Sequence, residues 1–509
     1  MQGNSKIKTL ELLNSEQILE RFKTSRESLC SDPFRPIYHY STPENLMNDP
    51  NGLCEWNGQY HLFYQLKPTN EDRWHWGHTV STDLIHWEDL PPAIYPDIEK
   101  DCFSGQTLVE KNRVIAIYHG TQSGNSISIS SDNILNNWKG LTNNPIIPIV
   151  PIDKNGLPYR VFDPCIWKEN DGYYSISGVY KNGERSVDCI GVGHLFYSKN
   201  LQKWEHIGEL FESSFFTEPG EDIAVPNFLP ISDTEHIVLF FSHKRGAQYF
   251  IGEYNKSKHI FTPKTHGRMT YGPLSLGSLH APSATIDTSG RLISIYNIKE
   301  GKPSSWQDVM SLPRKLSIDI NSNLQITPIQ ETNSLRFSRK EISPIKIGPN
   351  QEILLNDVGG KSIEIEAIVN LGTSREAGFY VLQSKDGTEK TKISLLRTSD
   401  NPYKWSEKDS LQIDVSESSK DPDIYARTPE IGPVKLIDET LLNIRIFIDR
   451  SIIEVFANDE QCLTLRSYPT QKDSRNISFF AKGGMAEILN MKVWQMKSIW
   501  PELKFRECE

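Results

Sequence analysis

A turn of Gly, Asn, Asp or Ser returns about every 55–65 residues along the chain. It appears at Asn57-Gly58, Lys111-Asn112, Asn170-Asp171-Gly172, Ser232-Asp233 and Thr288-Ser289-Gly290. Residues 53–56 and 60–64, on either side of the first, are short apolar and aromatic runs, the pattern of a β-hairpin. A second signature keeps the same period: Ser81-Thr82-Asp83 then Trp87, Ser131-Asp132 then Trp138, Ser198-Lys199-Asn200 then Trp204. Five units, each long enough for about four short strands, predict a five-bladed β-propeller. The competing reading is a β-sandwich whose turns share a spacing by coincidence.

The pattern changes near residue 335. Residues 337–352 (FSRKEISPIKIGPNQE) read as a linker, being rich in Lys and Pro. Beyond them the strands alternate cleanly: Ile363 and Ile365 oppose Glu364 and Glu366, and Leu442, Ile444, Ile446 and Ile448 oppose Asn443, Arg445 and Asp449. Two-faced antiparallel strands of this kind predict a sandwich of two sheets. Residues 1–30 are polar with one helix, capped by Asn14 with Gln17 three residues on and with Ile18 and Phe22 on one face. The expected class is all-β. The organisation is an N-terminal extension (1–33), a five-bladed propeller (34–336), the linker (337–352) and a C-terminal β-sandwich (353–509).

Composition narrows the partners. A net charge of −10 argues against nucleic acid, whose phosphates call for a basic patch. No apolar run approaches the roughly 18 residues of a membrane span. The start, MQGNSKIKTL, has no apolar signal core, so a cytoplasmic location is expected, with a secreted one left open. Seven scattered cysteines, without CxxC spacing, point to reduced thiols rather than zinc or disulfides. His75, His78 and His86 lack a metal-ligand spacing, and neither Ser242-His243 nor His280 belongs to a nucleophile motif. No metal and no cofactor are expected.

A propeller gathers the first strand of each blade around its axis, so acidic residues at blade starts converge there. Three such stretches stand out: Asn48-Asp49-Pro50, Phe162-Asp163-Pro164, and Glu218-Pro219-Gly220-Glu221-Asp222. Proline after Asp49 and Asp163 biases both toward extended backbone. Asp-Pro is also a common turn starter, so either pair alone carries little. Paired carboxylates across a sugar bond are what glycoside hydrolysis needs, one attacking the anomeric carbon and one protonating the leaving oxygen.

At these residues the chain resembles glycoside hydrolase family 32, the invertases, inulinases and levanases that cleave β-fructofuranosides. The matching blocks are Asn48-Asp49-Pro50-Asn51-Gly52, Phe63-Tyr64-Gln65, Trp76-Gly77-His78, Ser81 through Trp87, and Phe103-Ser104-Gly105. Trp306 through Arg314 and Asp449 through Phe456 follow in order. The resemblance implies a propeller plus sandwich and a retaining double displacement. Asp49 would be the nucleophile and Asp163 the residue that holds fructose hydroxyls and stabilises the transition state. Asn48, Gln65, Trp76, Phe103 and Ser104 would line the pocket, although Trp76, Trp87 and Phe103 also read as blade core.

Two departures from the family pattern follow. An arginine is usual directly before the second Asp, where this chain has Phe162, and Arg160 is the nearest one. The family's acid/base Glu lies two residues before a proline, and here Ala224 stands two before Pro226. Glu221 is the expected replacement, Asp222 the next candidate and otherwise a sugar ligand, with Glu218 behind them. The reading is a retaining β-fructofuranosidase acting on sucrose or fructans, with fructosyl transfer as a side activity and oligomeric state undetermined. Its rivals are a related propeller hydrolase acting on pentosides and a non-catalytic sugar-binding propeller.

Overall fold

The computed structural model describes residues 14–69, 71–149, 161–180, 191–212, 217–272, 276–399 and 408–505. Arg160, Cys189 and Cys508 lie outside them. Among the described residues, five antiparallel sheets of four or five strands run in chain order from Leu46–Trp56 to Leu324–Pro328. Their first strands, Leu46–Trp56, Cys102–Glu110, Phe162–Lys168, Ala224–Pro230 and Leu279–Ile286, touch one another in sequence, and the last touches the first. That closed ring is a five-bladed propeller.

Each of the five recurring turns joins the first strand of a blade to its second. The second signature caps the step from third strand to fourth. Asp83 accepts the Ile85 and His86 N–H groups (2.9 and 2.8 Å), and Asp132 those of Ile134, Asn136 and Asn137 (3.0, 3.1 and 2.7 Å). A short acidic side chain thus satisfies the turn's backbone donors, which is why the residue type recurs. The ring is fastened where its ends meet: Met47 N–H donates to the Gln307 carbonyl and Gln307 N–H to that of Asn45 (3.2 and 3.1 Å).

The helix Ser15–Leu29 carries the reciprocal Asn14–Gln17 capping box. It buries Ile18 and Phe22 on the propeller and pins Arg26 to Asp89 (2.5 Å).

Beyond the propeller, a seven-stranded and a six-stranded sheet face each other over a core that includes Ile363, Ile365, Ile446, Phe379 and Phe479. Glu364, on the opposite face from Ile363, is fully buried beneath the guanidinium groups of Arg336 and Arg445 (2.5 and 2.7 Å). The expectation of a linker at 337–352 is corrected. Arg336–Ile342 and Ile345–Ile347 pair with the last strand, Ala486–Met496, and Gln351–Gly359 begins the other sheet. Their exposed Lys, Arg and Glu are the composition of a sheet edge, which repels further pairing and so resembles a linker in sequence.

The sandwich grips the propeller through two buried carboxylates. Asp449 accepts the N–H groups of Ile37, Tyr38 and His39 (2.9, 2.7 and 3.0 Å). Glu454 takes Arg314 (2.6 Å) and the Leu312 N–H (2.7 Å). Burial alone would raise the Glu454 carboxyl, yet the charges of Arg314 and His39 bring it down to about 2.

Candidate active site

Every first strand of the propeller is irregular near its N-terminal end. Register shifts fall between Met47 and Pro50, Cys102 and Gly105, Phe162 and Pro164, Ala224 and Asn227, and Leu279 and Pro282. A bulge lets a residue leave the alternation of the strand and turn its side chain aside. The residues so released, Asn48 and Asp49, Phe103 and Ser104, Asp163, Val225 and His280, all line one cavity of about 880 Å3.

Backbone strain is concentrated at two of these bulges. Asp163 has φ 30° and Val225 φ 49°, left-handed conformations that cost a residue with a Cβ about 1–3 kcal/mol. The extended backbone expected at Asp163 is therefore corrected: the bulge overrides the bias from Pro164. The two strained residues meet, with Val225 N–H donating to Asp163 Oδ2 (3.2 Å).

Asp49 is held asymmetrically at the base of the cavity. Its Oδ2 accepts from Ser104 Oγ (2.6 Å) and Gln65 Nε2 (3.2 Å). Its Oδ1 has no hydrogen-bond partner among the described residues and lies 3.3 Å from His280 Nδ1. Asn48 Nδ2 donates to Gln65 Oε1 (2.9 Å), while its own oxygen receives Lys299 Nζ and Asn297 Nδ2. Burial would raise the Asp49 carboxyl, but His280, the Lys299 charge and the Ser104 hydroxyl pull it down to about 2. Asp163 goes the other way: burial first, then the Asp49 charge, push it up to about 7. Two carboxyl groups on one cavity thus differ widely in acidity, the arrangement that separates acid from base roles.

Three residues expected at the site lie off this cavity's wall. Glu221 does not line the cavity. It is fully buried, receiving Arg245 on both oxygens (2.8 and 2.6 Å) and Gln248 Nε2 (2.8 Å). Burial would raise its carboxyl, but Arg245, the Glu218 N–H and Gln248 lower it overall, the reverse of what a proton donor needs. Asp222 is also off the cavity wall, held against His243. Trp76 is fully buried in the blade core, where its Nε1 supports the Phe103 carbonyl (2.8 Å) rather than facing the cavity. Glu218 is half exposed and pairs with Lys244 and Arg245.

The cavity wall at the family's acid position is Ala224, with no carboxylate. His280, Lys299, Asp101 and His243 line the cavity and were not expected. For His280 the signal was its place: it opens the first strand of the fifth blade, as Asp49 and Asp163 open theirs. Among the described residues no group of three or more His, Cys, Asp or Glu side chains is placed to hold a metal ion.

The chain matches the family description "Glycosyl hydrolases family 32 N-terminal domain" over residues 39–328 and "Glycosyl hydrolases family 32 C terminal" over 331–495. It is 27% identical to a levanase of Bacillus subtilis, over 94% of this chain and 72% of that one. Against a sucrose-6-phosphate hydrolase of Escherichia coli the identity is 27%, over 91% and 95%. The fold superposes on the crystal structure of fructan 1-exohydrolase IIa from Cichorium intybus with a TM-score of 0.80, at 24% identity, over 92% of this chain and 98% of that one.

Proposed function

The chain belongs to glycoside hydrolase family 32, and on that premise we propose that it is a retaining glycosidase cleaving terminal β-D-fructofuranosyl bonds, with Asp49 as nucleophile. The observation that carries the reading is the Asp49 carboxylate: ionised, buried, held through Oδ2 by Ser104 and Gln65, on a residue that lines a sugar-sized cavity. Attack by Oδ1 on the anomeric carbon forms a fructosyl ester, and water then releases fructose. Asn48, Gln65 and Ser104 hold the nucleophile in line. Asp163, carrying a proton near neutral pH, offers both a donor and an acceptor to sugar hydroxyls. The relatives named for levan and sucrose 6-phosphate support a substrate among fructosides with a sugar on the leaving side. An intracellular setting is supported by Cys30, Cys54, Cys102, Cys165 and Cys462, which are free and buried.

A second reading has its own observation. Ala224 leaves the acid position without a carboxyl, so the cavity also suits a protein that binds a fructoside without cleaving it. Fructose release from sucrose, sucrose phosphate, inulin and levan, with Asp49→Asn as control, separates the two. Turnover that the Asp49→Asn substitution abolishes supports the hydrolase. Binding by calorimetry without turnover supports the binder.

A further inference from the structure

A glycosidic oxygen on a sugar leaving group is too basic to depart unprotonated, so cleavage needs a proton donor facing the nucleophile. Ala224 supplies none. Two side chains beside it have the form of a donor: Asp163, given above to the sugar hydroxyls, and His243. His243 lies just past the strand Glu235–Ser242, whose Phe241 pairs with Ala224, so it stands beside the vacant acid position. Its ring lines the cavity with 39% of its side chain exposed.

The imidazole is clamped from behind. Asp222, 1% exposed, accepts the His243 backbone N–H on Oδ1 (2.8 Å) and meets ring Nδ1 with Oδ2 (2.5 Å). With Nδ1 committed to the carboxylate, Nε2 is the ring nitrogen that can meet a ligand. The ring neighbours a residue that stands against the nucleophile: its centroid lies 6.3 Å from that of His280, and His280 Nδ1 is 3.3 Å from Asp49 Oδ1. Phe241 packs on both imidazoles, with centroids 5.1 and 3.7 Å away. Besides Asp222, the titratable groups facing this ring are Asp163 of the third blade and His280 of the fifth, with Lys244 and Arg245 following it in sequence.

We propose that His243, positioned by Asp222, is the general acid and base of this enzyme in place of the carboxylic acid absent at Ala224. The proposal rests on the hydrolase reading above. As Asp49 Oδ1 bonds to the anomeric carbon, the carbon–oxygen bond to the leaving sugar breaks. That oxygen keeps the electron pair and takes the Nε2 proton, leaving neutral imidazole. In the second half a water oxygen bonds to the anomeric carbon while Nε2 takes its proton. As that bond forms the bond from the anomeric carbon to Asp49 breaks, its electron pair returning to the carboxylate, and the imidazolium is restored.

The test compares sucrose with an aryl β-fructofuranoside, whose activated leaving group needs no proton, in full-length wild type and variants. His243→Gln should lower kcat/KM on sucrose about 100-fold or more and on the aryl fructoside less than about 5-fold. Asp222→Asn, removing a positioning residue, should cut kcat/KM about 10-fold on sucrose and less than about 3-fold on the aryl fructoside, a leaving-group dependence that loosened packing does not produce. If His243→Gln does not fold, by thermal melting, Asp222→Asn decides by the same comparison. Sucrose kcat/KM within about 3-fold of wild type in His243→Gln, with Asp49→Asn inactive, overturns the proposal and leaves the hydrolase standing. So does a leaving-group-dependent loss in Asp163→Asn instead. A wild type that cleaves neither substrate overturns the hydrolase reading and this assignment with it.

Discussion

His280 Nδ1 stands 3.3 Å from Asp49 Oδ1, the carboxylate oxygen that Ser104 and Gln65 leave unserved. The two residues come from the first and fifth blades, adjacent where the ring closes. His280 helps keep Asp49 ionised. Replacing it by His280→Leu should therefore raise the Asp49 carboxyl. The acidic limb of kcat/KM should move up by about one pH unit, since an opposite or donating neighbour favours the charged form. Initial rates across the acid range read this directly.

Asp49→Asn removes the attacking charge while keeping the shape of the side chain. Turnover of any fructoside should fall about 1,000-fold or more, with thermal melting close to wild type.

Asp163 makes stability depend on pH with a definite sign. Its folded value of about 7 lies above the ordinary 3.8, so the native state holds a proton that the unfolded chain has released. Stability from this carboxyl is full below about pH 4 and is lost as pH rises through about 7. Asp163→Asn cannot ionise, so its melting temperature relative to wild type should be several degrees higher at pH 8 than at pH 5. On sucrose the same variant should lower kcat as well as raise KM, because its hydroxyl contacts tighten in the transition state.

Glu221 behaves as a structural residue. Glu221→Gln takes from Arg245 its buried, two-oxygen carboxylate partner and should destabilise the fold by about 1–3 kcal/mol at neutral pH. Because its folded value is depressed below 4.5, that difference should shrink as pH falls below about 4.5. Sucrose and an activated fructoside should be affected equally, which separates it from a proton donor.

Blade architecture was readable from sequence because each blade repeats its turn chemistry at one place, and Asp83 and Asp132 show why the residue type is required there. The pocket was less readable. A bulge takes one extra residue and no distinctive composition, so only the Asp-Pro pairs marked two of the five. His280, flanked by Leu279 and Ala281, reads as packing until the ring brings it to Asp49. Glu221 misled because nothing local announces that Arg245, twenty-four positions on, folds back to neutralise it. Residues 337–352 misled because an edge strand and a linker share their charged composition.

In the proposed reaction Asp49 takes the fructosyl group covalently. An aryl β-fructofuranoside forms the ester faster than water removes it when the base for the second step is missing, so His243→Gln should accumulate it. Mass spectrometry of the acid-quenched, digested protein should then find one fructosyl unit on the peptide that contains Asp49, and none when Asp49→Asn is added to the same variant. An adduct on another peptide, or continued turnover by Asp49→Asn, contradicts the account.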